Sequence, residues 1–155
     1  MPDPEIVLLR AAPIHFELAR QAIAEVNLPT SHHPAPLDAA ALAAFLADPR
    51  LYLLLAVQVG RVVGSLYGYS LQSPYCRPPQ FLLYAIDVRP ECSGHGIGTS
   101  LVARFIEEAR RANASEVWVL TDETNAAALK MYSRCGMKRA PTADVMLILD
   151  LEADT

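Results

Sequence analysis

The sequence predicts an α/β protein of the α+β type that folds as one domain over residues 1–155. Short apolar runs typical of strands alternate with segments whose apolar residues recur at helical spacing. Hydrophobic residues make up 52% of the chain and charged residues 19%, so a chain of this length can bury a core. We therefore expect a central sheet flanked by about four helices.

The first half of the chain predicts three strands and two helices. Pro13 suits a first helical position, and Asp38 is a natural N-cap for the second helix. Asp48-Pro49 ends that helix, and Gly60-Arg61 marks a tight hairpin between two strands. The predicted elements are a strand at 5–10, a helix from Pro13 to Val26, a helix at 39–47, and strands at 51–59 and 62–71.

The second half begins with a nearly continuous apolar run at 81–88, which predicts a strand covered on both faces. The helix after it has an apolar stripe, and we expect Glu108 and its charged neighbours to face water. Gly136 occupies a position typical of a left-handed helix C-cap. The predicted elements are a strand at 81–88, helices at 99–112 and 125–134, a strand at 116–121, and a closing hairpin of 137–140 with 145–151.

Composition restricts the function. A formal net charge of −4 argues against nucleic acid and favours a cationic substrate. Cys76, Cys92 and Cys135 form no Cys-x-x-Cys pair, so the sequence indicates neither a metal site nor a disulfide framework. No segment resembles a signal peptide or reaches membrane length. We therefore expect a cytoplasmic protein without a membrane partner.

A glycine-rich loop lies between the strand at 81–88 and the following helix. Gly94, Gly96 and Gly98 fall within five positions, where backbone can take positive φ and a ligand can approach the main chain. Unpaired amides at a helix start, together with the helix dipole, favour a polyanion. The loop lacks the lysine of a P-loop and the spacing of a dinucleotide fingerprint. We interpret it as a phosphate cradle; the alternative is a flexible connector.

Two motifs carry a family resemblance. Arg89-Pro90-Glu91 followed by Gly96-Ile97-Gly98 resembles the acyl-CoA pyrophosphate loop of the GCN5-related N-acetyltransferase (GNAT) superfamily, with Ser93 where Gln or Arg is usual. The segment 125–137 resembles that family's Asn-x-x-Ala-x-x-x-Tyr-x-x-x-Gly-Phe pattern. The order of the predicted elements also matches. The resemblance implies a mixed, mostly antiparallel sheet with a V-shaped gap between the strands on either side of the glycine loop and its helix.

The resemblance also implies site residues, with acetyl-CoA as the cofactor and no metal. Tyr132 would be the general acid for the departing thiolate, in a direct transfer through a tetrahedral intermediate. A phenol of pKa about 10 can protonate a thiolate whose thiol has a pKa of about 8.5 at small cost. The alternative for Tyr132 is a plain contact between helix and core. The implied cofactor-binding residues are Ile86, Val88, Ser93, Gly94, His95, Gly96, Ile97, Gly98, Thr99 and Asn125.

An amine acceptor must lose a proton before it attacks, and a nearby carboxylate would help. Asp87 is the best candidate, because an acid inside an apolar strand needs a reason to be there. Glu91 is a weaker candidate. The residues expected to contact the substrate are Tyr84, Glu123 and Asp144.

A closer similarity concerns the acceptor. Segments 51–71 and 79–88 resemble aminoglycoside 3-N-acetyltransferases of the superfamily, although Ala85 stands where those enzymes have an acid. Asp87 could replace that acid, because residues two apart on a strand share a face unless a bulge separates them. The resemblance implies an aminoglycoside substrate. The alternatives are another amine (a polyamine, an amino acid or a protein N-terminus) or a CoA-binding sensor without turnover. A homodimer is left open.

Overall fold

The computed structural model describes residues 5–26, 38–75, 77–143 and 145–149. Five strands form one sheet in the order β1-β2-β3-β4-β5. Strands β1 to β4 are antiparallel neighbours, and β5 runs parallel to β4. The predicted mixed, mostly antiparallel sheet is therefore confirmed. The strands are β1 Ile6–Arg10, β2 Leu51–Gln58, β3 Arg61–Leu71, β4 Gln80–Val88 and β5 Glu116–Val119.

Helices cover both faces of the sheet. Helix α1 is continued by a π-helical turn, and the Asp38 carboxylate caps α2 by accepting the Ala41 amide at 2.6 Å. Within the described ranges, no helix is long and apolar enough to cross a membrane. The helices are α1 Phe16–Gln21, α2 Ala39–Ala47, α3 Ile97–Arg111 and α4 Ala126–Arg134.

Strand β2, which lies between β1 and β3, contributes side chains to both cores. Tyr52 and Leu54 pack into the core beneath α3 and α4, whereas Leu53 and Leu55 pack into the core beneath α1 and α2. This alternation follows from the two-residue period of a strand. Because both faces are covered, β2 reads as a continuous apolar run.

The prediction that Glu108 on α3 faces water is wrong. The residue is only 8% exposed. Arg104 Nε donates to its carboxylate at 2.8 Å and Arg111 Nη1 at 3.3 Å, while Arg10 of β1 lies at 4.0 Å. Burying a carboxylate requires such partners. Helical spacing could not predict Arg10, since that partner comes from the far edge of the sheet.

The closing hairpin predicted for 137–140 and 145–151 is not formed by the described residues. Residues 137–143 and 145–149 contain no strand. The apolar side chains at 145–149 are 67–89% exposed. Apolar β-type composition shows only that a segment can pair, whereas a strand also needs a neighbouring edge to supply hydrogen bonds. Residue 144 and residues 150–155 lie outside the described residues.

The turn between β2 and β3 is one residue earlier than predicted. Val59 has φ 50° and Gly60 has φ 73°. Two positive φ values in a two-residue hairpin are typical of a type I′ turn, in which Asn-Gly is favoured. Val59 is a β-branched residue in the left-handed region with its side chain 83% exposed. Because the Val59 side chain is exposed, it gains no burial energy that would offset the backbone strain.

We predict that Val59→Asn stabilises the protein. Asn tolerates the left-handed region that Val resists, at a difference of about 1 kcal/mol, which corresponds to about 2–4 °C in Tm for a chain of this size. Thermal unfolding followed by circular dichroism measures the change. Val7→Asn on the exposed side of β1 is the matched control and should not stabilise, because Asn is disfavoured in strands. An unchanged or lower Tm for Val59→Asn would contradict the prediction.

Candidate active site

The cleft begins where β4 parts from β5. The two strands pair only from Gln80 opposite Glu116 to Leu83 opposite Val119, although β4 continues to Val88. The parting coincides with a β-bulge. Tyr67 of β3 pairs with Ala85 and Gly68 with Leu83, so Tyr84 is the extra residue. The V-shaped gap implied by the resemblance is present.

Main-chain groups of β4 line this gap. The Arg89 amide donates to Val63 O of β3 at 2.9 Å. The register from Ala85 to Val88 is regular, and successive strand residues direct their main-chain groups to opposite sides. Ile86 and Val88 therefore direct theirs to the side that β5 has left. These are the two residues for which the sequence predicted main-chain contact with the pantetheine arm.

The glycine loop opens α3 with the geometry that an anion cradle needs. Gly94 has φ 82° and Gly96 has φ 80°, and a Cβ at either position would meet nothing within 4 Å. The first intrahelical bond runs from the Ser100 amide to Gly96 O at 2.9 Å. The amides of Ile97, Gly98 and Thr99 precede that bond and have no intrahelical acceptor. The loop thus fits a pyrophosphate.

The two side chains predicted to join this cradle contact the loop itself. Ser93 Oγ donates to Arg89 O at 3.4 Å, and His95 Nδ1 lies 3.2 Å from Cys92 O. Within the described residues these contacts shape the turn. Main-chain amides are consequently the principal anion ligands that the loop offers.

Arg89 is a positioning residue that sequence reasoning missed. Its side chain is buried, with Nε donating to Val62 O at 2.7 Å and Nη2 bonded to the Glu25 carboxylate. A buried guanidinium keeps its charge and must be paired. Arg89 therefore fixes the start of the glycine loop to β3 and to the π-helical turn after α1. Its place between the strand and Pro90 was the only sequence signal for this role.

Gly98 brings α4 against the cradle. A Cβ on Gly98 would lie 2.8 Å from Met131 Sδ, and Val88 Cγ2 and Ile86 Cδ1 would be next nearest, at 3.8 and 3.9 Å. The missing side chain thus lets α3, α4 and the end of β4 meet. Met131 immediately precedes Tyr132, so this contact also sets the position of that tyrosine.

Helix α4 is capped at both ends, and only the cap at Gly136 was predicted from the sequence. Asn125 Oδ1 accepts the Ala128 amide at 3.0 Å, so this oxygen serves as the N-cap. At the other end the Gly136 amide donates to Ser133 O and the Met137 amide to Tyr132 O, which is a Schellman motif, and Gly136 has φ 83°. The predicted C-cap is confirmed.

Tyr132 lies in the core beneath α3 and α4, with 8% of its surface exposed. Burial raises the pKa of its phenol, and the charge of Asp87 adds to the shift. The phenol is therefore protonated throughout the neutral range, as a proton donor must be. The described geometry accommodates both the catalytic and the packing interpretation.

Asp87 lies on the face of β4 opposite to that of Ile86 and Val88. It pairs with Ser65, and Ala85 pairs with Tyr67, whose ring packs on the core beneath α1 and α2. Because the bulge falls at Tyr84, outside the interval from Ala85 to Asp87, these two side chains share that face. The charge of Asp87 contributes to the raised pKa of both Tyr67 and Tyr132. The Asp87 carboxylate thus acts electrostatically on a tyrosine on each face of the sheet, Tyr67 and Tyr132.

The other predicted acids are engaged elsewhere or are not described. Glu91 Oε1 accepts from Arg61 Nη2 at 3.2 Å, and Glu123 Oε1 lies 2.8 Å from Arg139 Nη1 on the surface. A hydrogen bond from its own main chain and the neighbouring Arg61 hold the pKa of Glu91 below its usual value. Asp144 lies outside the described residues.

The fold is an α+β domain in which β4 parts from β5 beside the glycine loop. This arrangement offers a site for an extended ligand that carries a phosphate group. The chain belongs to the acetyltransferase (GNAT) family, whose profile matches residues 19–137, from α1 to the end of α4. This family uses acetyl-CoA. Both sequence motifs lie within the matched range.

Relatives and structures agree with the family. A mycothiol acetyltransferase from Arthrobacter sp. (strain FB24) is 30% identical over 122 residues, which cover 75% of this chain and 38% of the relative. The chain thus spans under two fifths of the length of the curated relatives it matches.

Solved structures with the same fold include two aminoglycoside acetyltransferases. Meta-AAC0020, from an uncultured soil metagenomic sample and in complex with sisomicin, gives a TM-score of 0.79 at 21% identity, covering 94% of this chain and 96% of that chain. AAC(6')-Iy in complex with CoA gives 0.74 at 18% identity, covering 97% and 99%. At these identities the likeness concerns the fold.

We predict that Asp87→Asn lowers the pKa of both Tyr67 and Tyr132. The Asp87 carboxylate disfavours the phenolate form, so neutralising it makes ionisation easier, while burial keeps the pKa of both tyrosines above the usual value for a phenol. Tyrosine-ring NMR over a pH titration resolves the two residues. Glu107→Gln on the exposed face of α3 is the matched control and should leave both values unchanged. If neither tyrosine responds to Asp87→Asn, the carboxylate does not reach the gap.

Proposed function

We propose that this chain is an acetyl-CoA-dependent N-acetyltransferase that acetylates a primary amine of a small cationic substrate. The observation that carries the proposal is the junction of β4 and α3. There, the edge of β4 that no longer pairs with β5 leads into the glycine loop. The amides at the end of that loop precede the first hydrogen bond of α3 and have no intrahelical acceptor. That sequence of donors and acceptors matches an extended amide-bearing arm that ends in a pyrophosphate.

The residues present fit acetyl-CoA, which when bound supplies an activated acetyl thioester. Main-chain groups of Ile86 and Val88 would hold the pantetheine arm. Amides from Gly94 to Thr99 would hold the pyrophosphate, supported by the helix dipole. Asn125 would contribute its side-chain nitrogen, since its oxygen caps α4.

Tyr132 and Asp87 would carry the proton chemistry from opposite faces. Tyr132 would donate the proton of its Oη at the point where the thiolate leaves. An amine of pKa about 10.4 requires roughly 4–5 kcal/mol to be deprotonated at pH 7, so a carboxylate that receives the proton directly or through water lowers the barrier. Asp87 is partly exposed, in keeping with this task.

For the acceptor we propose an aminoglycoside acetylated at its 3-N position. The net charge of −4 suits a cationic substrate. The structures that share the fold include an aminoglycoside acetyltransferase with bound sisomicin. A second candidate is an amine related to mycothiol, supported by the 30% identity to a mycothiol acetyltransferase over 75% of this chain.

Acetyl-CoA-dependent thiol release across an acceptor panel tests the proposal. The panel contains aminoglycosides, a mycothiol-related amine, polyamines, amino acids and a peptide N-terminus. We expect turnover with an aminoglycoside, with acetylation at the 3-N position shown by NMR of the product. Turnover confined to another acceptor would overturn the aminoglycoside assignment. CoA binding without turnover on any amine would identify a sensor.

The cradle can be tested with two variants of nearly equal shape. Gly96→Asp and Gly96→Asn both tolerate positive φ and project into open space, so they differ chiefly in charge. Juxtaposed like charges cost several kcal/mol, so we expect Asp to raise the Kd for CoA at least about tenfold more than Asn does. Calorimetric titration with CoA measures both. Equal affinities of the two variants for CoA would contradict the assignment of this loop as the pyrophosphate-binding site.

Tyr132→Phe separates the catalytic interpretation from the packing one. The change removes one hydroxyl and keeps the ring in the core, so Tm should change little. Loss of a general acid typically lowers kcat by about 10²–10⁴-fold. Tyr52→Phe, which alters a tyrosine equally buried at 6% exposure beneath α3, is the control and should keep wild-type kcat. Wild-type kcat for Tyr132→Phe would leave this residue with a packing role alone.

A further inference from the structure

Three tyrosines form a ring cluster at the bulge. The ring centroid of Tyr84 lies 5.2 Å from that of Tyr67 and 5.6 Å from that of Tyr69, and the latter two are 6.3 Å apart. These distances are typical of interacting aromatic pairs. Leu83 packs into the core beneath α3 and α4, so ordinary alternation places the next residue, Tyr84, on the face of Tyr67 and Tyr69. The bulge then places Ala85, and with it Asp87, on that same face. We call these three residues the tyrosine cluster.

The cluster is only partly explained by packing. Phe45 of α2 meets Tyr67 edge-on at 6.4 Å, so the core holds that ring in place. Tyr67 and Tyr69 are half-buried, whereas Tyr84 is 60% exposed. A large ring held on two others but open to water presents a rigid aromatic surface that loses little entropy when a ligand covers it.

The cluster adjoins the groups assigned to chemistry. Tyr84 is three residues before Asp87 on β4, and Tyr67 lies opposite Ala85. Burial raises the pKa of Tyr67 to about 12, with the neighbouring tyrosines and Asp87 adding to the shift. The phenols of Tyr67 and Tyr69, whose pKa values burial raises, are therefore neutral. All three tyrosines offer ring faces and hydroxyls. The nearby carboxylate supplies one negative charge.

We propose that the tyrosine cluster is the acceptor subsite, and that it takes an amine carried on a saturated, hydroxylated ring of the amino-sugar class. The C–H face of that ring packs on Tyr84, and its ammonium lies near Asp87. The structure describes two other acids predicted for the cleft, Glu91 and Glu123, and both are paired with arginines. The subsite should therefore select its acceptor more by ring shape than by total charge. The proposal rests on the proposed function and names the substrate class of that same site.

Kinetics of variants at Tyr84 test the subsite. Tyr84→Leu should raise KM for an amino-sugar acceptor about 2- to 10-fold, the loss expected when a flat aromatic contact is removed, and leave KM for acetyl-CoA unchanged. Tyr84→Phe restores the ring and should recover most of the lost affinity. Tyr75→Leu, at a tyrosine 77% exposed in the loop before β4, is the matched control and should match the wild type. Equal acceptor KM in Tyr84→Leu and wild type would overturn the subsite.

A binding measurement keeps this test separate from turnover. Titrating glucosamine, with spermidine as the linear comparison, into protein with ring-labelled tyrosine should shift resonances of Tyr67, Tyr69 and Tyr84 but not Tyr75, and glucosamine should shift them more. If these rings respond but no amine is acetylated, the subsite stands and the proposed function fails. If an amine is acetylated and the rings do not respond, the function stands and the subsite is wrong. If the rings do not respond and no amine is acetylated, both the subsite and the proposed function are wrong.

Discussion

The parting of β4 from β5 is the constraint on which the rest of the site depends. Main-chain amides and carbonyls that lose a neighbouring strand must find another partner or water. In this protein the parting begins at a bulge, so one extra residue both ends the pairing with β5 and places Asp87 on the face of Tyr84. The open edge at Ile86 and Val88 thus begins at the same bulge that places Tyr84 and Asp87 on one face.

The elements around the gap are fixed by close contacts. Arg89 ties the glycine loop to β3 and to Glu25, which prevents the loop from following the departing edge. The missing side chain of Gly98 allows Met131 to rest on the start of α3, and this contact sets Tyr132 beside the cradle. Asp87 lies on the other face of β4, and its charge still contributes to the raised pKa of Tyr132. The candidate proton donor and the candidate carboxylate thus lie on opposite faces of the sheet.

Local chemistry predicted most elements because each has a local cause. The Asp38 cap, the stripe of α3 and the Gly136 cap all follow from residues within one or two helical turns. The bulge at Tyr84 depends on the register between two strands, which the apolar run at 81–88 does not reveal. Glu108 was misassigned for the same reason, since Arg10 reaches it from β1. The terminal hairpin was wrong because composition indicates pairing capacity and does not supply a partner edge.

The candidate site followed a similar division. The glycine loop was predictable because it occupies consecutive residues, and its cofactor class followed from the family resemblance. The role of Arg89 was not, because it depends on Val62 and Glu25, which are distant in sequence. Ser93 shows how the site compensates for a missing long side chain, since the anion ligands that remain are main-chain amides.

Amide hydrogen exchange with and without CoA tests the central claim most directly, because it reports on the main-chain donors themselves. If the open edge of β4 and the start of α3 form one binding surface, CoA should protect amides at Ile86 or Val88 together with those of Ile97 to Thr99. Strand β1, at the other edge of the sheet, should be unaffected. Protection at the start of α3 without any along β4 would reduce the site to a simple anion cradle. Protection at neither place would contradict the account.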